Sequence, residues 1–189
     1  MKKNYRMSTC EVEADQVGFL RDFVEQIKAA SAKATIGLVQ SNSETFQYDF
    51  KIEKIVIESP GRRITHEKLS YGQKRLLAFL YYLESNEKFV IADELADSFH
   101  HQWIETCMKK MEGRQCFLSS QNPILLDYLP IKSADDVHKT FIQCHLVKEG
   151  DEEYMEWKNT PIEEAERFYK DLEVGIQYVS ELLMVRGLW

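Results

Sequence analysis

The segment Phe89-Val90-Ile91-Ala92-Asp93-Glu94 constrains the fold of this chain more than any other. Four apolar residues without a polar break read as a short strand covered on both faces, and two acids stop it. The flanking rhythm fits that reading. Gln73 to Leu83 predicts a helix before it, and His100 to Met111 predicts one after it. Gln115 to Ser119 then predicts a second buried strand, and Pro123 to Leu129 a helix with proline in its first turn. Phe141 to Val147 predicts a further strand, with Tyr154-Met155-Glu156-Trp157 beside it. Strand alternating with helix in this order predicts an α/β layer built on a largely parallel sheet.

The first third has a different pattern. Val12, Val17, Leu20, Phe23, Val24 and Ile27 recur among charged residues, predicting an amphipathic helix from Cys10 to about Lys33. Thr35–Gln40 predicts a strand and Ser41-Asn42-Ser43 a turn. Phe46, Tyr48 and Phe50 alternate with Gln47 and Asp49, and Ile55-Val56-Ile57 extend the pattern into a small antiparallel sheet. Ser59-Pro60-Gly61-Arg62-Arg63 breaks that run, and Pro60 to Thr65 reads as the internal linker. The expected parts are thus 1–68, a helix with a small β region, and 69–189, an α/β lobe. The closing stretch Pro161 to Val185 predicts a helix adjusted near Gly175. Val174, Tyr178, Leu182 and Val185 would form its buried face, with Trp189 as a terminal anchor or an exposed aromatic.

Composition narrows the functional classes. With 189 residues the chain can bury a real core, and a charge of -7 argues against a compact, strongly basic nucleic-acid module. Lys109, Lys110 and Arg114 could touch phosphates but fit a solvated helix face better. The apolar stretches are too short to cross a bilayer, and Glu11, Glu13 and Asp15 after the basic start lead to the expectation of no secretory signal. Cys10, Cys107, Cys116 and Cys144 are widely spaced, which suits mostly buried thiols in a reducing compartment. A cytoplasmic location without a membrane partner is expected.

Two segments carry chemistry. Asp93 and Glu94 lie at the carboxyl end of a strand, where open α/β sheets bind ligands. One carboxylate can hold Mg²⁺, and its neighbour can orient or deprotonate a water. Two acids that merely end a strand in a solvated turn would look the same. Leu69-Ser70-Tyr71-Gly72-Gln73 stands directly before a helix. Ser70 offers a hydroxyl, Gly72 allows close backbone approach, and the helix start offers N–H groups to an anion. An ordinary N-cap and turn is the plainer alternative.

The order of these segments resembles the C-terminal lobe of an ATP-binding-cassette (ABC)-type ATPase head, a partial P-loop NTPase fold. The non-transporter branch with OLD, RecF and structural-maintenance-of-chromosomes (SMC) proteins is the most similar. Leu69-Ser70-Tyr71-Gly72-Gln73 resembles the signature motif, Phe89–Glu94 resembles Walker B, and Ser119-Ser120-Gln121-Asn122-Pro123 resembles the switch loop. The resemblance implies ATP and Mg²⁺ as cofactors of a complete head. It implies that Ser70, Gly72 and Gln73 contact nucleotide held by a second head, that Asp93 supports the metal, and that Glu94 activates water. Asp97-Ser98-Phe99-His100-His101-Gln102-Trp103 resembles the D-loop, which implies Ser98 and His100 at the opposing subunit. A capping or surface role for His100 and His101 stands beside that implication. Gln121 replaces the histidine usual in the switch loop; it can donate a hydrogen bond but cannot shuttle a proton.

None of the eight glycines forms the G-x-x-x-x-G-K-[ST] loop that cradles phosphates. The expected partner is therefore a separate Walker A lobe or split subunit, together with a second ATPase head. The chain alone should be nearly inactive and the combined head an ATP hydrolase. The resemblance implies a role in DNA maintenance or anti-phage defence, with DNA or an effector nuclease engaged through the parent assembly. A non-catalytic module that pairs with and regulates a related ATPase is the alternative. A transporter subunit and a metal-dependent phosphoesterase follow.

Overall fold

A computed structural model describes residues 7–40, 48–175 and 178–186. The Ser41-Asn42-Ser43 turn, Phe46 and Trp189 lie outside the described residues. The chain divides into two compact units. One comprises the described parts of Met1–Asp93 and Asp97–Ser119, the other those of Glu94–Ala96 and Ser120–Trp189.

In the first unit, β1 (Met7–Glu13), β2 (Ser31–Gln40), β3 (Tyr48–Ser59) and β4 (Arg62–Thr65) form an antiparallel sheet in chain order. The helix predicted from Cys10 to Lys33 is corrected. Its first part is β1, and only Gly18–Gln26 is helical (α1). Cys10-Glu11-Val12-Glu13 alternates as well as it recurs at helical spacing, and pairing with β2 decides for the strand. The Pro60 linker is also corrected. Pro60 and Gly61 turn a tight hairpin between β3 and β4, with Ser59 opposite Arg62. Gly61 takes φ +72, a conformation that favours glycine.

One face of the sheet packs under α1, α2 (Tyr71–Ser85) and α3 (His101–Met111). Leu76, Leu77, Leu80 and Leu83 of α2 are buried at intervals that keep one stripe inward. The first three join a core that includes Phe19, Leu20, Phe23, Ile55, Ile57, Trp103 and Cys107. Segments on both sides of residue 68 therefore share one apolar interior. The indole Nε1 of Trp103 donates to the Gln26 carbonyl at 3.3 Å, and Lys110 pairs with Asp22 at 2.5 Å. Arg114 is not a free phosphate ligand on a solvated face. Its guanidinium donates to the carbonyls of Leu83 and Asn86, at 2.6 and 2.9 Å, and closes the end of α2.

β5 (Phe89–Ala92) and β6 (Gln115–Leu118) pair in parallel, from Phe89 opposite Gln115 to Ala92 opposite Leu118. Among the described residues the parallel sheet has only these two strands, which corrects the larger sheet predicted. Nor are the strands covered on both faces. Val90 and Ala92 are buried, while Phe89, Ile91 and Phe117 are exposed.

In the second unit, the Pro123 segment is a 3-10 helix over Pro123–Tyr128, not an α-helix; Asn122 caps it by accepting from the Ile124 N–H at 3.1 Å. An unpredicted helix, α4 (Ala134–Thr140), follows. β7 (Ile142–Glu149) and β8 (Glu152–Asn159) form an antiparallel hairpin of their own. The predicted final helix is two helices, α5 (Ile162–Glu173) and α6 (Val179–Val185), with Gly175 at φ +76 between them. Their buried apolar residues are Ala165, Phe168, Val179, Leu182 and Leu183, packed with Val137 of α4. Val174, Tyr178 and Val185 are exposed, so of the predicted face only Leu182 is inside. The break at Gly175 resets the helical phase and removes the others. Asp127 holds the start of α6 by accepting from Ser180 N–H and Oγ at 2.9 and 3.0 Å.

The cysteines are free, and they are not mostly buried: Cys10 and Cys144 are exposed, Cys116 is intermediate and Cys107 is buried. Burial pushes the Cys107 thiol from its ordinary 9.0 up to about 12. In the unfolded chain this thiol ionises near pH 9, whereas in the folded chain it stays protonated. Its contribution to stability is therefore intact below pH 9 and falls as pH rises from 9 toward 12. Urea midpoints compared at pH 8 and pH 10 should fall less in Cys107→Ala than in the parent. Equal falls would place the alkaline sensitivity elsewhere.

Candidate functional site

Ser70 is the N-cap of α2. Its Oγ accepts from the Gln73 N–H at 3.2 Å, while the Gln73 side chain accepts from the Ser70 N–H at 3.0 Å. This reciprocal capping box explains why Ser and Gln stand three residues apart before a leucine-rich helix. As an acceptor, the Ser70 hydroxyl retains its own proton for donation. Ser70, Gln73 and His100 line one groove of about 410 Å³, together with Lys28, His101 and Gln102. The starts of α2 and α3 both border this groove. His100 occupies the N-cap position of α3 without a side-chain capping bond; its ring instead meets Trp103 edge-on at 4.9 Å.

Gly72 and Ser98 touch. A Cβ added at Gly72 would lie 2.4 Å from the Ser98 carbonyl oxygen, so glycine is required by backbone proximity. Ser98 itself has φ +62. The same loop is clamped by Arg75, whose guanidinium bonds the Asp97 carboxylate at 2.8 Å. That guanidinium also lies 5.8 Å from the Tyr71 ring centroid and 5.9 Å from that of Phe99. Sequence reasoning missed Arg75. The available signal was a basic residue one helical turn after Tyr71, facing an acid just beyond Glu94.

At the end of β5, Asp93 accepts a hydrogen bond from the Ser119 hydroxyl. The parallel register makes this meeting inevitable, because Ala92 and Leu118 are partners and the next residues leave their strands together. Carboxylate and hydroxyl are hard oxygen donors of the kind Mg²⁺ takes when phosphate and water complete its shell. Among the described residues no group of three or more His, Cys, Asp or Glu is placed to hold a metal by protein ligands alone. Ser119 was not singled out in the sequence, although it follows the second strand as Asp93 follows the first.

Glu94 and Gln121 belong to the other unit. The Glu94 carboxylate accepts from the Gln121 N–H at 3.0 Å, so the main chain of Gln121, not its amide side chain, makes this contact. Glu94 has φ +52, an uncommon conformation for a residue with a Cβ. The predicted site residues thus form four local groups: Ser70 with Gln73 and His100, Gly72 with Ser98, Asp93 with Ser119, and Glu94 with Gln121.

No protein-family profile matches the chain, and no curated protein matches it. Solved structures do. One comes from work on ATP-driven dimerization and DNA-stimulated activation of SMC ATPases. It shares 10% identity over 82% of this chain and 91% of that one, with a TM-score of 0.41. Another is an Smc head domain with a coiled coil and joint derived from Pyrococcus yayanosii. It shares 13% identity over 82% of this chain, with a TM-score of 0.44, and the match spans 28% of that longer chain. The chain is distantly similar to SMC ATPase heads. Among the described residues no helix is long and apolar enough to cross a membrane.

Proposed function

We propose that this chain is the C-terminal portion of an ABC-type ATPase head. The observation that carries the reading is the seating of Gly72 against the Ser98 carbonyl, where the signature-like and D-loop-like segments meet at the head of a capped helix. Ser70, Gly72 and Gln73 face nucleotide held by a second head, and Ser98 and His100 belong to the same opposing surface. The complete head uses ATP with Mg²⁺, which supplies charge neutralisation at the phosphates. Asp93, with the Ser119 hydroxyl, is the oxygen pair that would hold the metal. Glu94 takes the proton of the attacking water, while Gln121 gives a hydrogen bond and no proton shuttle. A Walker A lobe or split subunit supplies the phosphate loop. DNA maintenance or anti-phage defence is the proposed setting, in the cytoplasm, with DNA or an effector nuclease reached through the parent assembly.

The replacement of the switch histidine by Gln121 favours a second reading, a regulatory module that pairs with a related ATPase and does not itself turn over ATP. Calorimetric titration and phosphate release separate the two. The chain alone is expected to bind ATP weakly and hydrolyse it negligibly. A supplied Walker A lobe should restore both under the enzyme reading, and binding without turnover favours the regulatory one. Tight, stoichiometric binding by the chain alone would remove the need for a second lobe. Ser70→Arg should abolish ATP-dependent pairing of complete heads in sedimentation, and unchanged pairing would take Ser70 out of the interface.

A further inference from the structure

The β7–β8 hairpin carries an apolar face that the second unit leaves open. Directly opposed residues of an antiparallel pair share a face. Cys144 opposes Trp157 and Leu146 opposes Met155, with Ile142 opposite Asn159 at one end and Lys148 opposite Glu153 at the other. Ile142, Leu146, Met155 and Trp157 are 52%, 56%, 52% and 66% exposed, and Cys144 is exposed as well. The opposite face bears Gln143, whose amide donates to Glu164 of α5 at 3.3 Å.

With the other face turned to α5, the exposed apolar face is the one left for a partner to cover. We propose that a second copy of this chain covers it, face to face. Area supports that occupant. Five half-exposed side chains present on the order of 500 Å², so an isologous pair removes about 1,000 Å², the lower bound of a specific interface. Charge supports it too. The only ionic groups on this face, Lys148 and Glu153, are already paired with each other, so a twofold contact lays no net charge on its own image. Trp and Met are residues that interface centres favour. The contact uses none of the residues placed at the nucleotide, and it stands or falls apart from the proposed ATPase role.

Sedimentation equilibrium of the chain without nucleotide tests the proposal. A dimer, twice 22.2 kDa, is expected to form with micromolar affinity. Added salt should tighten it, because each copy carries -7. Trp157→Lys should weaken pairing about 30-fold or more, with an unchanged circular dichroism spectrum. Leu146→Lys replaces it if that variant does not fold. Tyr154→Lys, on the opposite face of β8, should pair as the parent does. A monomer up to about 100 µM would overturn the proposal and leave the face to a different partner. So would a dimer indifferent to both substitutions on the face, weakened equally by Tyr154→Lys, or loosened by salt.

Discussion

Under the proposed function, Glu94→Gln in a complete head containing this chain is expected to preserve ATP binding and reduce turnover by about two to three orders of magnitude. The substitution is nearly isosteric. Its amide oxygen can still accept from the Gln121 N–H that lies 3.0 Å from the carboxylate, so the local contact survives. What is lost is the ability to take a proton from water. Binding can be read by calorimetry and turnover by phosphate release on the same preparation. Unchanged turnover would move the general base to another residue. Loss of binding along with turnover would instead give Glu94 a structural role in holding the turn that follows β5.

Gly72→Ala is expected to destabilise the first unit by about 2 kcal/mol, against the ordinary preference of helices for alanine. Two effects oppose each other. Alanine gains up to about 1 kcal/mol over glycine in a helix interior, and less in its first turn. The new Cβ, however, would lie 2.4 Å from the Ser98 carbonyl oxygen, which is backbone and not the far end of a flexible side chain. Relief requires moving a loop held by the Arg75–Asp97 ion pair and by the rings of Phe99 and Trp103. Overpacking of this kind costs about 1–3 kcal/mol, so the clash wins. A lowered urea midpoint checks it. An equal or higher midpoint would mean that α2 and the Ser98 loop separate easily, and with that the mainstay of the proposed function would go.

The legible parts of the fold were those where one residue type permits one local structure. The Ser70–Gln73 box, the leucine stripe of α2 and the short β5 all follow from their own residues. What stayed hidden depends on partners distant in sequence. Cys10–Glu13 satisfies two periodicities, and only the β2 register chooses between them. Helix α4 is too short for a periodic signal, but Ser133 capping the Asp136 N–H, with acids first and His138 and Lys139 last, was a readable mark. The terminal face failed because Gly175 breaks the phase. Motif order put forward Ser70, Gly72, Asp93 and Glu94 as candidates. The Asp93–Ser119 and Arg75–Asp97 contacts needed the parallel register and the turn after β5.

Tyr82 guards the free edge of β5. The Gln115 N–H donates to the Lys88 carbonyl and the Ser119 N–H to that of Ala92, so even-numbered residues of this segment address β6 and Ile91 addresses the outer edge. There the Ile91 N–H already donates to the Tyr82 hydroxyl at 3.0 Å. An incoming strand must displace that hydroxyl and at this position only exchanges one hydrogen bond for another. A phenol from the chain's own helix thus discourages casual edge-to-edge aggregation.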